Sequence, residues 1–224
     1  MTVRDNLAAV RQRIEAACAR AGRNPADVRI VAVTKYIDAE RALHVLDAGI
    51  ADLGENRAGQ LLEKYERIGD RAVWHFIGTL QSRKVKEIID KVDYIHSLDR
   101  LSLAKEIEKR AVRPVKCFVQ VNVSGEATKH GLSPDETVPF IEQLRSFSHI
   151  EVVGLMTMAP HIEDEAVLRT CFRQLRALKE RVQALRLAHA PCTELSMGMS
   201  NDYEIAIEEG ATFVRIGSAL VGSL

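Results

Sequence analysis

Three short segments carry residue types that would suit a single ligand. Lys35 closes the apolar run Val28-Arg29-Ile30-Val31-Ala32-Val33-Thr34-Lys35, and a lysine amine can condense with an aldehyde. Ser196-Met197-Gly198-Met199-Ser200 supplies a hydroxyl, and Val214-Arg215-Ile216-Gly217-Ser218 supplies a glycine whose backbone can approach a phosphate. Arg215, in that last segment, is a guanidinium able to meet a ring nitrogen. A phosphorylated aldehyde built on a nitrogen heterocycle would engage all three.

Those groups are far apart in sequence, so the fold must bring them together. Apolar and β-branched runs at 28–34, 51–54, 73–77, 93–97, 116–123, 150–158, 193–197 and 212–216 read as strands. Between them, 38–49, 57–68, 82–91, 100–111, 134–146, 163–188 and 202–209 carry the helical apolar period, with Gly49 and Gly210 as stops. Eight strands joined by crossover helices predict an α/β fold, a single (β/α)8 TIM-type barrel; an open doubly wound sheet is the alternative. Val3, Leu7, Val10, Ile14 and Cys18 share one face of an extra N-terminal helix, expected over 1–22 and packed on the barrel. The whole of 1–224 is expected to form one domain, with Asn122 to Pro134 as a long loop after the fifth strand.

In such a barrel the chemistry sits at the C-terminal rim of the strands, and phosphate sites favour the loops after the seventh and eighth. Val31, Val33 and Lys35 alternate onto one face, so Lys35 should point into the mouth. Arg215 shares its face with Phe213 and Gly217 and should project inward. The eighth strand pairs with the first, which predicts Lys35 and Arg215 as near neighbours, about 5–10 Å apart at their backbones.

Each residue also has a plainer account. Lys35 could be a solvated strand-end charge, Ser200 or Asn201 could cap a helix that starts at Ser200-Asn201-Asp202, and Gly217 could only permit a turn. Arg215 could pair with a rim carboxylate such as Glu55 or Glu194. Ser200 and Gly217-Ser218 on adjacent strands favour the anion site over the separate accounts. His75 and His96 are spaced like inward rim residues of strands three and four and read as hydrogen-bonded barrel histidines. Trp74 should face the helices as core.

Composition narrows the classes. Lys+Arg and Asp+Glu both number 31, which lacks the basic excess of a nucleic-acid binder. No stretch approaches the roughly 20 apolar residues of a membrane span. Cys18, Cys117, Cys171 and Cys192 are scattered, with no metal-ligand or disulfide pattern, and fit a cytoplasmic protein with reduced thiols.

The blocks Val31 to Lys35, Gly54-Glu55-Asn56, Trp74 to Gln81, Ile95-His96-Ser97, Val119 to Glu126, Gly154 to Met158, Leu195 to Ser200 and Val214 to Ser218 recur together across the chain. In this the sequence resembles the pyridoxal phosphate homeostasis proteins, single-domain relatives of the alanine racemase barrel. The resemblance implies pyridoxal 5′-phosphate as cofactor, held as a Schiff base on Lys35. It also implies Arg215 at the ring nitrogen, Ser200 with the Gly217-Ser218 backbone on the phosphate, and Asn56 lining the pocket. Thr34, Tyr36 and Thr79 depart from residues common there (serine, a smaller residue and histidine), and Tyr36 could alter access to the cofactor. The implied function is intracellular homeostasis of the B6 vitamer by a binding protein with little or no catalysis. Amino acids, and cofactor-requiring enzymes docking on the barrel, would be its partners. The enzyme alternative is a weak amino-acid racemase using Lys35 as its base. Racemases of this type add a tyrosine from a C-terminal domain; this sequence ends seven residues after Gly217, and none of Tyr36, Tyr65, Tyr94 or Tyr203 stands in an equivalent motif.

Overall fold

The computed structural model describes residues 2–222; Met1 and 223–224, the ends of the expected 1–224 unit, lie outside the described residues. Helix α1 (Val3–Ala21) opens the chain. Thr2 caps it reciprocally with Asp5, and Gly22 closes it in the left-handed region at φ 65°. Its apolar stripe of Val3, Leu7, Val10, Ile14, Ala17 and Cys18 is buried.

Strands β1 (Arg29–Val33), β2 (Asp52–Glu55), β3 (Val73–Phe76), β4 (Tyr94–Leu98), β5 (Val115–Gln120), β6 (Ile150–Met156), β7 (Glu194–Met199) and β8 (Phe213–Ile216) form one closed parallel barrel in sequence order. Helices α2 (Ala39–Asp47), α3 (Ala58–Ile68), α4 (Val85–Ile88), α5 (Leu101–Arg110), α6 (Pro134–Gln143), α7 (Glu165–Ala184) and α8 (Tyr203–Glu208) connect them, and α1 packs over α8 and the final turn α9 (Ser218–Val221). The barrel, the N-terminal helix and all eight strands match the sequence-based expectation.

Several boundaries differ. β5 and β6 stop before 123 and 158, although Val121 N–H still donates to the Met156 carbonyl and Thr157 N–H to that of Ser196. Pairing therefore fades into the rim loops rather than ending sharply. Residues 82–84 form a 3₁₀ turn, leaving only Val85–Ile88 as α-helix within the expected 82–91. Helix α9 has no counterpart in the sequence-based expectation, because four residues are too few to show a period.

Burial divides the apolar residues into two sets. A large outer cluster fills the space between strands and helices and includes Trp74, whose indole N–H donates to the Gly69 carbonyl. A small inner cluster of Val31, Tyr94, Phe118, Val153, Met156 and Phe213 plugs the barrel. At Gly154, opposite Glu194 on β7, a Cβ would stand 2.0 Å from the Glu194 carbonyl oxygen, so only glycine lets β6 and β7 close there. Among the described residues no helix is long and apolar enough to cross a membrane.

Candidate functional site

Lys35 lies in the turn just after β1, half-buried, with its Nζ 4.7 Å from the centre of the Tyr36 ring. A buried ion pair fixes that turn from below. Lys64 on α3 donates to the Thr34 carbonyl at 2.9 Å and meets Glu55 Oε1 at 2.6 Å, and the Thr34 hydroxyl donates to the same Glu55 oxygen at 2.6 Å. Both charges are almost inaccessible, which makes the pair costly to break: removing one partner of such a pair typically loses about 3–5 kcal/mol. Lys64 escaped sequence reading, but it left a signal, since it falls on the buried stripe Ala58, Leu61, Lys64, Ile68 of an amphipathic helix.

Arg215 is 3% exposed and points inward. Neither carboxylate of the plainer account, Glu55 or Glu194, pairs with it. One Nη1–H donates to Ser196 Oγ at 2.5 Å and one Nη2–H to the Thr157 carbonyl at 3.0 Å. Its other N–H donors have no acceptor among the described residues. Burial pulls the guanidinium down to about 10, the charge of nearby Asp202 opposing, so it stays charged at neutral pH. In the register Arg215 pairs with Val31, while β1 ends at Val33 and Lys35 lies beyond it in the turn. Alternation sets which way a side chain points and says nothing about stagger.

Ser200 and Gly217 do meet: the Gly217 N–H donates to Ser200 Oγ at 3.2 Å across the β7 and β8 ends. Ser218 follows as the exposed first residue of α9. The helix expected over 202–209, with its start in Ser200-Asn201-Asp202, forms as Tyr203–Glu208 with Asp202 in the capping position, although neither Ser200 nor Asn201 occupies that position and the Asp202 side chain does not cap it. That carboxylate accepts from the Met199 N–H at 2.7 Å, and burial raises it above the ordinary carboxylate range against that bond and the Arg215 charge. Asn56, half-buried, follows β2 on the same rim. A Cβ at Gly78 would fall 2.6 Å from the Asn56 Cβ and 2.8 Å from its carbonyl, so glycine there lets the two loops touch.

His75 and His96 are fully buried and hydrogen-bonded, but they lie inside the barrel rather than at its rim. His75 Nε2 is 2.7 Å from Asp52 Oδ1, its Nδ1 is 2.8 Å from His96 Nε2, and His96 Nδ1 is 2.8 Å from Ser196 Oγ. Burial pulls both imidazoles below their usual value, His96 the further, with the neighbouring His75 and Arg215 adding to its shift. Because the folded values are depressed, the stability these rings contribute is present in full above the unfolded value near 6.5 and is lost as pH falls from there toward the folded values. The urea midpoint should therefore drop between pH 7.5 and pH 5, ahead of carboxylate titration; a flat profile over that interval would contradict neutral buried imidazoles.

The family described as "Alanine racemase, N-terminal domain" matches residues 6–224. The pyridoxal phosphate homeostasis protein of Aquifex aeolicus is 42% identical over 226 residues, covering 99% of this chain and 98% of that one. Among solved structures, PipY of Synechococcus elongatus with PLP bound superposes at a TM-score of 0.86 with 30% identity, covering 99% of this chain and 100% of PipY. An alanine racemase of Clostridium difficile shares the fold at a TM-score of 0.76 with 17% identity, covering 98% of this chain and 56% of the racemase.

Proposed function

Because this chain belongs to the pyridoxal phosphate homeostasis proteins, within the alanine racemase N-terminal domain family, we propose that it holds pyridoxal 5′-phosphate at the C-terminal mouth of its barrel and buffers or delivers it. The observation that carries this reading is the meeting of Ser200 with the Gly217 amide just past the end of β8, two residues on from a buried Arg215 with donors to spare. Ser200 and the Gly217-Ser218 backbone bind the phosphate. Arg215 donates to the ring nitrogen, Asn56 lines the pocket, and the Lys35 amine anchors the cofactor covalently and reversibly. When bound, the cofactor supplies an aldehyde carbon that can pass between amines.

The same residues favour binding over turnover. A charged guanidinium can only donate, so Arg215 keeps the ring nitrogen unprotonated and the ring a weak acceptor of electrons. Of the tyrosines, Tyr94 lies in the inner cluster, Tyr65 donates to Asp70, and Tyr203 is buried in the outer core. Tyr36 stands beside Lys35, yet it presents its ring face to the amine and is 69% exposed. Amino acids are proposed as exchange partners at Lys35, and exposed Tyr36, Met158 and Met199 give the rim loops apolar surface suited to a cofactor-requiring enzyme. Four buried, unbridged cysteines are in keeping with a cytoplasmic location. The whole chain is proposed to act as one cofactor-binding unit.

The holoprotein incubated with L-alanine in deuterated water should show neither deuterium at Cα nor D-isomer at an enzymatic rate. A turnover approaching the ordinary ~1–10³ s⁻¹, lost in Lys35→Ala, would replace this reading with the racemase alternative.

A further inference from the structure

The interior of the barrel holds a row of polar groups that neither packing nor the mouth accounts for. At the N-terminal end Arg29 grips Asp52 with Nε on Oδ2 at 3.1 Å and Nη2 on Oδ1 at 2.9 Å, and its Nη1–H donates to the Tyr94 hydroxyl at 3.1 Å. From Asp52 the contacts run through His75, His96 and Ser196 to Arg215, each step 2.8 Å or shorter. Five residues from five strands thus connect the two ends of the barrel.

The direction of every bond in this row can be deduced. Burial opposes ionisation of Asp52, but His75 and Arg29 outweigh it and hold the carboxyl below its usual range. An ionised carboxylate only accepts, so His75 carries its proton on Nε2. A neutral His75 then offers a bare Nδ1, which accepts from His96 Nε2–H. His96 Nδ1 is bare in turn and accepts the Ser196 hydroxyl proton, leaving the Ser196 oxygen to accept from Arg215. Reversal would aim His96 Nδ1–H and Arg215 Nη1–H at one oxygen and turn the serine proton away from its only acceptor among the described residues.

Aromatic rings keep the row dry. Tyr94 stacks on His75 at 4.5 Å and 5°, Phe118 on His96 at 4.4 Å and 23°, and Phe213 packs against both imidazoles. The charged groups near the imidazoles are Asp52, Arg29 and Asp93 for His75 and Arg215 for His96.

We propose that Asp52, His75, His96 and Ser196 form a one-way hydrogen-bond relay that fixes Arg215 as a donor toward the cofactor's ring nitrogen. This rests on the reading of the mouth given above. The four are positioning residues, and the remotest of them, Asp52, sets the ring nitrogen's environment across the barrel. Aligned donors in a low-dielectric interior reinforce one another, so the Asp52 charge is felt at Arg215 without contact.

The relay is tested first in the cofactor-free protein. Long-range proton–nitrogen correlation spectra at pH 7 should show both His75 and His96 as neutral Nε2–H tautomers, whereas a protonated ring or an Nδ1–H form of His96 would overturn the proposal. That result stands whether or not the mouth binds the cofactor, so the two readings fail separately. The second test uses pyridoxal 5′-phosphate labelled with nitrogen-15 in its ring. Asp52→Asn, and Ser196→Ala as a second break, should each move the ring-nitrogen resonance of the holoprotein and weaken cofactor binding roughly tenfold, the scale of one hydrogen bond to a charged group. A lowered melting temperature with unchanged tautomers and ring-nitrogen resonance would show packing alone and sink the relay.

Discussion

Lys35→Ala abolishes covalent retention of pyridoxal 5′-phosphate: dialysed protein should emerge without the visible absorption band and without any label fixed by borohydride. The effect is all or none, because alanine has no amine to condense with the aldehyde. The fold should survive. Lys35 is half-buried in a turn whose backbone is held by Lys64, Glu55 and Thr34, none of which depends on the Lys35 side chain. What it loses in contact is chiefly the Tyr36 ring at 4.7 Å, so stability should stay within about 0.5 kcal/mol of the parent protein. Equilibrium binding through the phosphate should persist, seen as reversible quenching of protein fluorescence. A reducible label retained at wild-type level in this variant would remove Lys35 from the site.

The second large effect is discrimination for the phosphate. Ser200 Oγ and the Gly217 amide stand 3.2 Å apart on neighbouring strand ends, with the Ser218 amide next along the chain. Hydrogen bonds to a charged group are worth about 1.5–3 kcal/mol each. Two of them predict that pyridoxal binds roughly 10²–10⁴ times more weakly than its phosphate. Ser200→Ala should weaken the phosphate ester about tenfold and leave the binding of pyridoxal almost unchanged. Titration of both vitamers against both proteins checks this, and equal affinities in the parent protein would rule out an anion site at the β7 and β8 ends.

Much of this arrangement is legible in the sequence. Alternation placed Arg215 on the inward face with Phe213, and the strand-and-helix rhythm located all eight strands, because both patterns are local in sequence. Stagger is not local. Arg215 lies beside Val31 because barrel closure sets the register between β8 and β1. The same limit hid the relay: Asp52, His75, His96 and Ser196 come from different strands, and no spacing within one strand announces that their polar atoms meet. The hydrogen bonding of the two histidines is legible in the sequence, but their depth is not, because the rim cannot be told from the interior on strands of four and five residues. Lys64 is the opposite case. Its place on a buried stripe is visible in the sequence, but a stripe position names no partner, so the pairing with Glu55 emerges only with the fold.

The central claim is that Lys35 anchors the cofactor. Its most direct test is borohydride reduction of the holoprotein followed by proteolysis and mass-spectrometric mapping of the pyridoxyl label. The label is expected on Lys35. A label on Lys84 or Lys129 with Lys35 unmodified would contradict the account.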